Sequence, residues 1–379
     1  MKKVFLISSI ILGIVLILLA VYNFSFRNNV NNPLVDTKKT IEVKSETPSP
    51  IIQKEEAIVA LTDEKIVSPM YNSKDDSVVY FVPTSREIKR VSADTKEVVS
   101  IMTLSGEPLR AQWSPLQTQA LVEYQIAQDV GWYLVDIDKK TETPLKKGIE
   151  TPTWTNMGDQ IIYKYYDETT KDRSLNIANP DGSGWKKIGE SPFKTMSATV
   201  MPQSSLFVFW NQGDAFEETS LRSMSLIGSD VKTIFSGKFG ADYAFSPDGQ
   251  KILMSSTNAK GGKTPMLGLL LNKGTQYQNL LIPTMVTKTV WAKNNKSIYY
   301  ALPGSLPDNA VIPNDYFSKT LLTQDTFWKV NIETAEKSRI VETKDITKGY
   351  DASSLMINDD ETMLVFVNRS DDRLYRIKL

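Results

Sequence analysis

Two residue types that often carry enzyme chemistry are missing from this sequence. Its 379 residues include no histidine and no cysteine. Without histidine, the chain lacks the usual general base of serine and cysteine hydrolases and the commonest ligand of transition metals. Without cysteine, it lacks disulfide bonds, thiol nucleophiles and cysteine-bound zinc. Catalysis by carboxylate, lysine or tyrosine side chains stays open, but the sequence predicts no catalytic motif, no metal site and no cofactor.

The charge of the chain is balanced, with 44 basic and 44 acidic residues. A nucleic-acid-binding protein usually carries a strong basic excess, so we expect no nucleic-acid partner. Two adjacent acidic pairs, Asp359-Asp360 and Asp371-Asp372, lack the spaced ligands of a calcium loop. We interpret both pairs as solvated turns.

A strand–turn–strand pattern recurs from about residue 57. Its clearest copy has Phe245, then a Ser-Pro-Asp-Gly turn at residues 246–249, then the apolar run 252–254. Proline, aspartate and glycine suit successive positions of a tight turn. Weaker copies, spaced 41 to 65 residues apart, align with this one on the positions Tyr71, Trp113, Trp154, Val200, Phe245, Trp291 and Met356.

Each copy continues with a further strand, a polar turn and a shorter strand. Four strands in about 40–45 residues is the period of a β-propeller blade. The expected fold class is therefore all-β, a seven-bladed β-propeller over residues 57–379. Its last copy ends after three strands, so residues 57–61 are predicted to close the ring as the outer strand of blade seven. Ring closure removes exposed sheet edges.

The N-terminal sequence predicts a membrane anchor. Residues 4–22, which begin with Val4 and end with Tyr22, carry no charge and follow two lysines. As a helix they would span roughly 28 Å, close to the ~30 Å hydrocarbon core. A cleaved signal peptide is the alternative, but its apolar run is usually ~7–15 residues long. We expect residues 1–22 to be a cytoplasmic tip and single-pass transmembrane anchor, 23–56 a flexible linker, and 57–379 to lie outside the cell membrane.

Two regions are candidate binding sites. The first strand of each blade is expected to line the central channel, with the polar candidates Arg110, Gln112, Thr153, Thr199, Asp242, Lys288 and Ser354. Blade six is about 20 residues longer than its neighbours, and the extra length follows Tyr300. This insertion carries Asp308, Asp315, Tyr316 and Phe317. Long loops on rigid scaffolds often bind ligands or partners. The alternative is that the loop folds over the propeller and buries its rings.

The aromatic residues Trp113, Trp154, Phe245 and Trp291 are predicted to pack between blades. The aromatic-Ser-Pro-Asp-Gly turn, with the Asn-Pro-Asp-Gly-Ser-Gly turn at residues 179–184 before a Lys-Lys-Ile strand, resembles the WD40-like repeat of the TolB propeller. The resemblance covers roughly residues 57–379 and implies the fold. We expect no counterpart in this sequence of the separate α/β domain that precedes the TolB propeller. The repeat also resembles the propeller of prolyl-oligopeptidase-type peptidases, but we expect no hydrolase domain with it in this sequence.

Together these features predict a membrane-anchored, extracytoplasmic and monomeric propeller that is not an enzyme. It would act as an interaction or ligand-recognition scaffold for a protein partner in the cell envelope. The alternative is a hydrolase of glycans or peptides that uses a carboxylate pair in the channel. A retaining glycosidase needs two carboxyl groups about 5 Å apart. A third hypothesis is that the channel binds a small molecule or a metal ion.

Overall fold

The computed structural model describes residues 56–379. The predicted anchor at residues 4–22, and all of the predicted linker except its last residue, lie outside the described residues. Within 56–379, no helix is both long enough and apolar enough to cross a membrane.

The described residues form seven antiparallel blades of four strands each, arranged as a ring. First strands of neighbouring blades lie against one another from blade one to blade four and between blades six and seven, and the first strand of blade seven lies beside that of blade one. In blade order, the first strands are β2 (Val67–Asn72), β6 (Glu107–Trp113), β10 (Ile149–Trp154), β14 (Met196–Val200), the second half of β17 (Lys232–Phe245), β21 (Thr289–Trp291) and β25 (Ala352–Ile357).

The second and third strands carry the core. The second strands are β3 (Ser77–Val82), β7 (Gln119–Ile126), β11 (Ile161–Tyr166), β15 (Leu206–Asn211), β18 (Ile252–Thr257), β22 (Ser297–Pro303) and β26 (Met363–Asn368). The third strands are β4 (Glu87–Ser92), β8 (Asp129–Asp136), β12 (Arg173–Ala178), β16 (Glu218–Ser225), β19 (Met266–Leu271), β23 (Asp325–Asn331) and β27 (Arg373–Lys378). In β3, β18 and β26 every residue is buried, as expected for strands covered on both faces.

The outer strands are shorter and more polar. They are β5 (Val98–Thr103), β9 (Thr141–Pro144), β13 (Lys186–Glu190), the first half of β17, β20 (Gln276–Asn279), β24 (Lys337–Arg339) and β1 (Ile58–Ala60). One helical turn, α1 (Asn314–Phe317), and three 3-10 turns, Asn272–Gly274, Val286–Lys288 and Thr343–Asp345, complete the described elements.

Blades four and five share a strand. β17 is 14 residues long and leaves blade four as its outer strand before entering blade five as its first strand. The seven blades therefore form six hydrogen-bonded sheets, one of them seven-stranded. The sequence pattern predicted two separate strands here.

The ring is closed by the two ends of the described chain. β1 pairs antiparallel with β27, with Ile58 opposite Ile377 and Ala60 opposite Tyr375. Leu61 extends the contact, since its N–H donates to the carbonyl of Leu374 at 2.9 Å. Blade seven thus takes its outer strand from the segment expected to supply it.

The core consists of apolar clusters between neighbouring blades. The Trp113 indole N–H donates to the carbonyl of Ser68 in blade one at 2.7 Å. The Trp154 indole N–H donates to the carbonyl of Gln112 in blade two at 2.9 Å. Trp291 and Phe245 pack in the clusters of their own blade pairs. The prediction of inter-blade packing for these four aromatic residues is confirmed.

Candidate functional site

The blade-six insertion connects β22 to β23 and carries a small core of its own. Ala310, Ile312, Tyr316 and Leu321 are buried together on Met285, just before the first strand of blade six. An apolar cluster of this kind holds the loop in one conformation, because leaving these side chains in water would cost free energy. The insertion is therefore an ordered part of the propeller face.

Polar contacts fix the insertion to three other blades. Pro313 lies so close to Gly240 of blade five that a β-carbon there would come within 2.4 Å of the proline ring. The hydrogen bonds and ion pairs are Ile312 N–H to Gly262 O at 3.1 Å, Ala215 N–H to Asn314 Oδ1 at 2.8 Å, Lys263 Nζ to Asp308 Oδ1 at 2.7 Å and Lys319 Nζ to Asp372 Oδ1 at 2.9 Å. They join the loop to blades four, five and seven, so it crosses part of the propeller face.

The ring of Tyr316, in the helical turn α1 of the insertion, packs against two cations. Its side chain is buried. The guanidinium carbon of Arg369 is 3.6 Å from the ring centroid, and Lys288 Nζ is 5.1 Å from it. Arg369 also donates to the main-chain carbonyl of Tyr316. The sequence suggested a partner-contacting role for this ring, and the structure corrects that expectation, since cation–π contacts and burial take Tyr316 away from any partner.

Lys288 is the centre of a buried charge cluster. Its side chain is completely buried, and its Nζ donates to Asp325 Oδ2 at 2.7 Å, Asp351 Oδ1 at 2.6 Å and the Ala352 carbonyl at 2.9 Å. Burial alone would lower the pKa of Lys288, but the two carboxylates raise it above its ordinary value, Asp325 more than Asp351. The lysine therefore stays charged. The expectation that Lys288 lines an open channel is wrong, because its carboxylate partners and Tyr316 enclose it.

Every carboxylate oxygen of this cluster accepts a hydrogen bond. Asp325 Oδ2 also accepts from Ala352 N–H at 2.7 Å, and Asp351 Oδ2 accepts from Arg369 Nη1 at 2.7 Å. The Thr323 hydroxyl lies 2.7 Å from Asp325 Oδ1 and 2.9 Å from Asp351 Oδ1. Two cations balance two anions. The cluster thus joins blade six to blade seven and is saturated.

Asp325 and Asp351 are the closest approach in this region to the carboxylate pair expected of a glycosidase, since both bind one ammonium group. A retaining enzyme needs such a pair about 5 Å apart with access for the sugar. Here both side chains are buried and hydrogen-bonded to protein. The pair is enclosed by protein and closed to a substrate. Residues 56–379 also contain no group of three or more carboxylates placed to hold a metal ion.

Phe317 differs from its neighbour, with 41% of its side-chain surface exposed. It stands at the rim of a cavity of about 800 Å³, which we call the rim cleft. Two blade connections and the helical turn α1 form its walls. The lining residues are Pro192, Phe193, Lys194, Thr195, Asn211, Gln212, Gly213, Asp214, Glu217, Asn314, Phe317 and Ser318.

Asp242 lies on the first strand of blade five, in a second, much smaller cavity that Phe317 and Pro313 also line. The Trp210 indole N–H donates to Asp242 Oδ1 at 3.1 Å. Burial raises the pKa of this carboxyl, and the hydrogen bonds it accepts only partly offset the effect. The nearby Thr287 hydroxyl is buried without a hydrogen-bond partner among the described residues. The Asp242 carboxyl and the Thr287 hydroxyl therefore both line a small cavity under the insertion.

The other predicted residues do not join this region. Arg110 pairs with Glu123 through two hydrogen bonds of 2.7 and 3.2 Å on blade two, where its neighbour on the same strand, Gln112, is exposed. Asp308 is exposed and bound to Lys263, whose hydrogen bond and charge lower the pKa of the carboxyl. Asp315 Oδ2 accepts the Val311 N–H at 2.7 Å and so shapes its own loop. Only Phe317 with Asp242, and Tyr316 with Lys288, come together.

Sequence reasoning missed Thr323, Asp325, Asp351 and Arg369. Asp325 follows the insertion directly and Asp351 precedes the first strand of blade seven, so each stands beside a boundary that the repeat pattern defined. A charged residue at such a boundary was the only feature of the sequence that could have marked Asp325 and Asp351 as candidates. The ion pair between Lys288 and Asp351 joins residues that are 63 positions apart in the sequence.

No protein-family model matches the chain, and no curated protein matches its sequence. Solved structures match its fold. An oligogalacturonate lyase from Vibrio parahaemolyticus superposes with a TM-score of 0.62 at 10% identity, covering 86% of this chain and 94% of the lyase. Hydrazine synthase of Kuenenia stuttgartiensis gives 0.51 at 13% identity, over 72% and 76% of the two chains. TolB from Acinetobacter baumannii gives 0.47 at 13% identity, over 69% and 62%.

At these identities the comparisons show the fold and not an activity. They give no support to the expectation that the chain is not an enzyme, since a lyase shares its architecture. Residues 56–379 form a β-propeller, which is the fold that the sequence predicted.

Proposed function

We propose that this protein is a recognition propeller that binds a segment of a partner protein in its rim cleft. The observation that carries the proposal is the exposure of Phe317 on a loop that is otherwise fixed on all sides. Its neighbour Tyr316 is buried and α1 is bonded to blade four through Asn314. A half-exposed ring on an immobilised turn beside an 800 Å³ cavity has the features of a binding anchor.

The walls of the rim cleft suit a peptide segment. Apolar contacts come from Phe193 and Phe317, and hydrogen-bonding groups come from Gln212 and the carboxylates Asp214 and Glu217. A central apolar anchor with polar groups around it is the usual composition of a protein-binding surface. The partner we propose is a protein that presents an extended segment, and its location in the cell envelope rests on the anchor predicted from the sequence.

Photo-crosslinking tests this site. A photoreactive phenylalanine analogue at position 317 should capture one partner in cells. The matched control is the same analogue at Met157, which is 76% exposed in the turn between β10 and β11. That turn lies at the opposite end of the blades from the β22–β23 connection, because successive antiparallel strands turn at alternate ends.

A second probe at Gln212 should capture the same partner, and Phe317→Ser should abolish that capture without changing the melting temperature. Capture that is equal at positions 157 and 317, or capture from Gln212 that survives Phe317→Ser, contradicts the proposal.

We further propose that residues 4–22 anchor the propeller outside the cell membrane. The cysteine-free sequence makes the test clean. A single cysteine introduced at Met157 should react in spheroplasts with a membrane-impermeant maleimide. Reaction only after lysis contradicts this location, and release of the propeller from the membrane fraction contradicts the anchor.

An enzyme is the second candidate, and Asp242 is the observation in its favour. Its raised pKa would keep the carboxyl protonated to higher pH than an ordinary aspartate, and it lies under Phe317 near the rim cleft. Because a structural neighbour is an oligogalacturonate lyase, acidic oligosaccharides belong in the test alongside neutral glycans and peptides. Turnover by the wild type that Asp242→Asn abolishes supports an enzyme. No turnover of any of these by the wild type leaves recognition as the function.

A further inference from the structure

A second cleft, none of whose lining residues belongs to the insertion, lies on blade three beside the connection from blade two. Its floor is the face of the blade-three sheet that carries Tyr163 and Tyr165, two positions apart on β11 and so on the same side. Asn176 and Ser174 on β12 stand opposite these tyrosines. The cleft encloses about 200 Å³, and we call it the aromatic cleft.

The turn before β13 presents a third ring. Trp185 is 56% exposed, which is unusual for the largest apolar side chain. The preceding Asn-Pro-Asp-Gly-Ser-Gly turn is held by its own bonds. The Gly182 N–H donates to the Asn179 carbonyl at 2.9 Å, and the Ser183 N–H donates to Asp181 Oδ1 at 2.9 Å. The ring is thus displayed from a structured turn.

A cation of the protein itself already lies against these rings. Lys146 Nζ is 4.5 Å from the ring centroid of Tyr165 and 5.7 Å from that of Trp185. The carboxylate of Asp167 is close enough to feel this charge. Hydrogen bonds from Thr169 and Thr170 lower the pKa of Asp167 most, and Lys146 lowers it further. Two aromatic rings therefore lie beside one ammonium group, whose charge also acts on the Asp167 carboxylate.

The rest of the lining holds several acceptors and one further cation, Lys187, which is paired with Glu190. Asp172 lines the cleft, and within residues 56–379 no ion pair is formed by its carboxylate. Asn176 is buried and uses its amide nitrogen on the Ser174 hydroxyl at 2.9 Å. Its amide oxygen accepts no hydrogen bond from the described residues. Aromatic faces with carboxylate and amide oxygens favour a cation that carries apolar surface.

We propose that the aromatic cleft binds a small organic cation with a quaternary ammonium group, and that Lys146 occupies the cation position until the ligand displaces it. The ligand's methyl groups would contact Tyr165 and Trp185, and its charge would face Asp167 and Asp172. Lys146 leaves by rotating its side chain into solvent. The site is separate from the rim cleft, so neither proposal depends on the other.

Choline and its uncharged isostere 3,3-dimethylbutan-1-ol are the probes, with binding measured by calorimetry and by ligand-detected NMR. The wild type should bind choline weakly and the isostere not at all. Lys146→Ala should bind choline about tenfold more tightly, since the internal competitor is gone. Lys147→Ala is the matched control, because it removes the same charge from an exposed neighbour whose side chain is 79% exposed. It should bind like the wild type.

Trp185→Ala in the Lys146→Ala background should return choline binding to below the wild-type level. Because Trp185 is largely exposed, the variant should keep the wild-type melting temperature. The proposal is overturned by any of three results. They are equal binding of choline and the isostere, equal affinity gains in the two lysine variants, and choline binding that survives loss of Trp185.

Discussion

Replacing Lys288 by methionine removes the shared cation of two buried carboxylates. Arg369 stays within 2.7 Å of Asp351, so that pair survives. Asp325 keeps only the Thr323 hydroxyl and the Ala352 N–H as partners. Its charge would be buried without compensation. Breaking a buried ion pair from one side typically costs ~3–5 kcal/mol, because the remaining charge cannot be resolvated.

The expected loss in the free energy of unfolding is thus about 4 kcal/mol. Unfolding entropy scales with chain length, at roughly 0.7 kcal/mol per kelvin for a domain of this size. The melting temperature should therefore fall by about 6 °C. Calorimetry and chemical denaturation of the wild type and the variant measure both quantities.

Lys164→Met is the matched control. Lys164 is also buried, at 3% side-chain exposure, but its partner Glu150 is 40% exposed at a distance of 2.8 Å. Once unpaired, Glu150 can be solvated, so this variant should lose only about 1 kcal/mol. Adding Asp325→Asn to Lys288→Met should restore part of the lost stability, because the uncompensated charge is then gone. Equal losses from the two lysine variants, or no recovery in the double variant, would refute the reasoning.

The pH dependence follows from the sign of the lysine shift. The folded pKa of Lys288 is raised above its ordinary 10.5. Its contribution is therefore fully present below that value and is lost as the pH rises through the folded pKa. Burial already raises the pKa of Asp325 above its ordinary value, and loss of Lys288 should raise it further. The difference between wild type and Lys288→Met should therefore be largest above this raised pKa and shrink as the pH falls through it, because the orphaned carboxyl of the variant then takes up a proton.

Three further outcomes are expected. Burial raises the folded pKa of Asp242 above 3.8, so the free energy of unfolding decreases as the pH rises through this pKa and the buried carboxyl ionises. Asp242→Asn should therefore raise the melting temperature at pH 7 but much less at pH 4, and a lower melting temperature at pH 7 contradicts this. Gly228 and Gly237 have nearly equal positive φ of 87° and 86°, but a β-carbon at Gly228 would lie 2.0 Å from the Ile188 carbonyl oxygen while Gly237 has open space. Alanine should lower the free energy of unfolding by about 1 kcal/mol at Gly237 and by several kcal/mol at Gly228 in denaturation experiments. Similar losses at the two positions would mean that blades three and four are not in contact at Gly228. Deleting residues 57–61 should lower the melting temperature by several degrees, because it removes β1 and exposes the edge of β27, and an unchanged value would show that ring closure adds no stability.

Repeat positions were readable from the sequence because they follow from local rules. Each of the seven alignment positions lies at or next to the end of a first strand, from Tyr71 in β2 to Met356 in β25. The turn at residues 246–249 forms as its residue types require, with Gly249 at φ 67° and the Asp248 carboxylate accepting the Ser246 hydroxyl at 2.6 Å. Alternating burial and turn chemistry involve neighbours in the chain, so a single sequence displays them.

The burial of individual residues in the insertion could not be predicted from the sequence. The presence of the insertion was clear from the repeat spacing, but of two adjacent aromatic residues Tyr316 is buried and Phe317 is exposed. What separates them is Arg369, 53 positions away, which packs on Tyr316. Lys288 was predicted as a channel residue for the same reason, since Asp325 and Asp351 come beside it only when blades six and seven meet.

The sequence by itself determined the class of fold, the number of blades and the place of the long loop, since periodicity and turn residues are properties of short stretches. The tertiary structure alone decided which polar groups face water and which are buried in pairs. Burial and ion pairing depend on side chains brought together from distant blades, and the shared β17 strand and the aromatic cleft arise in the same way.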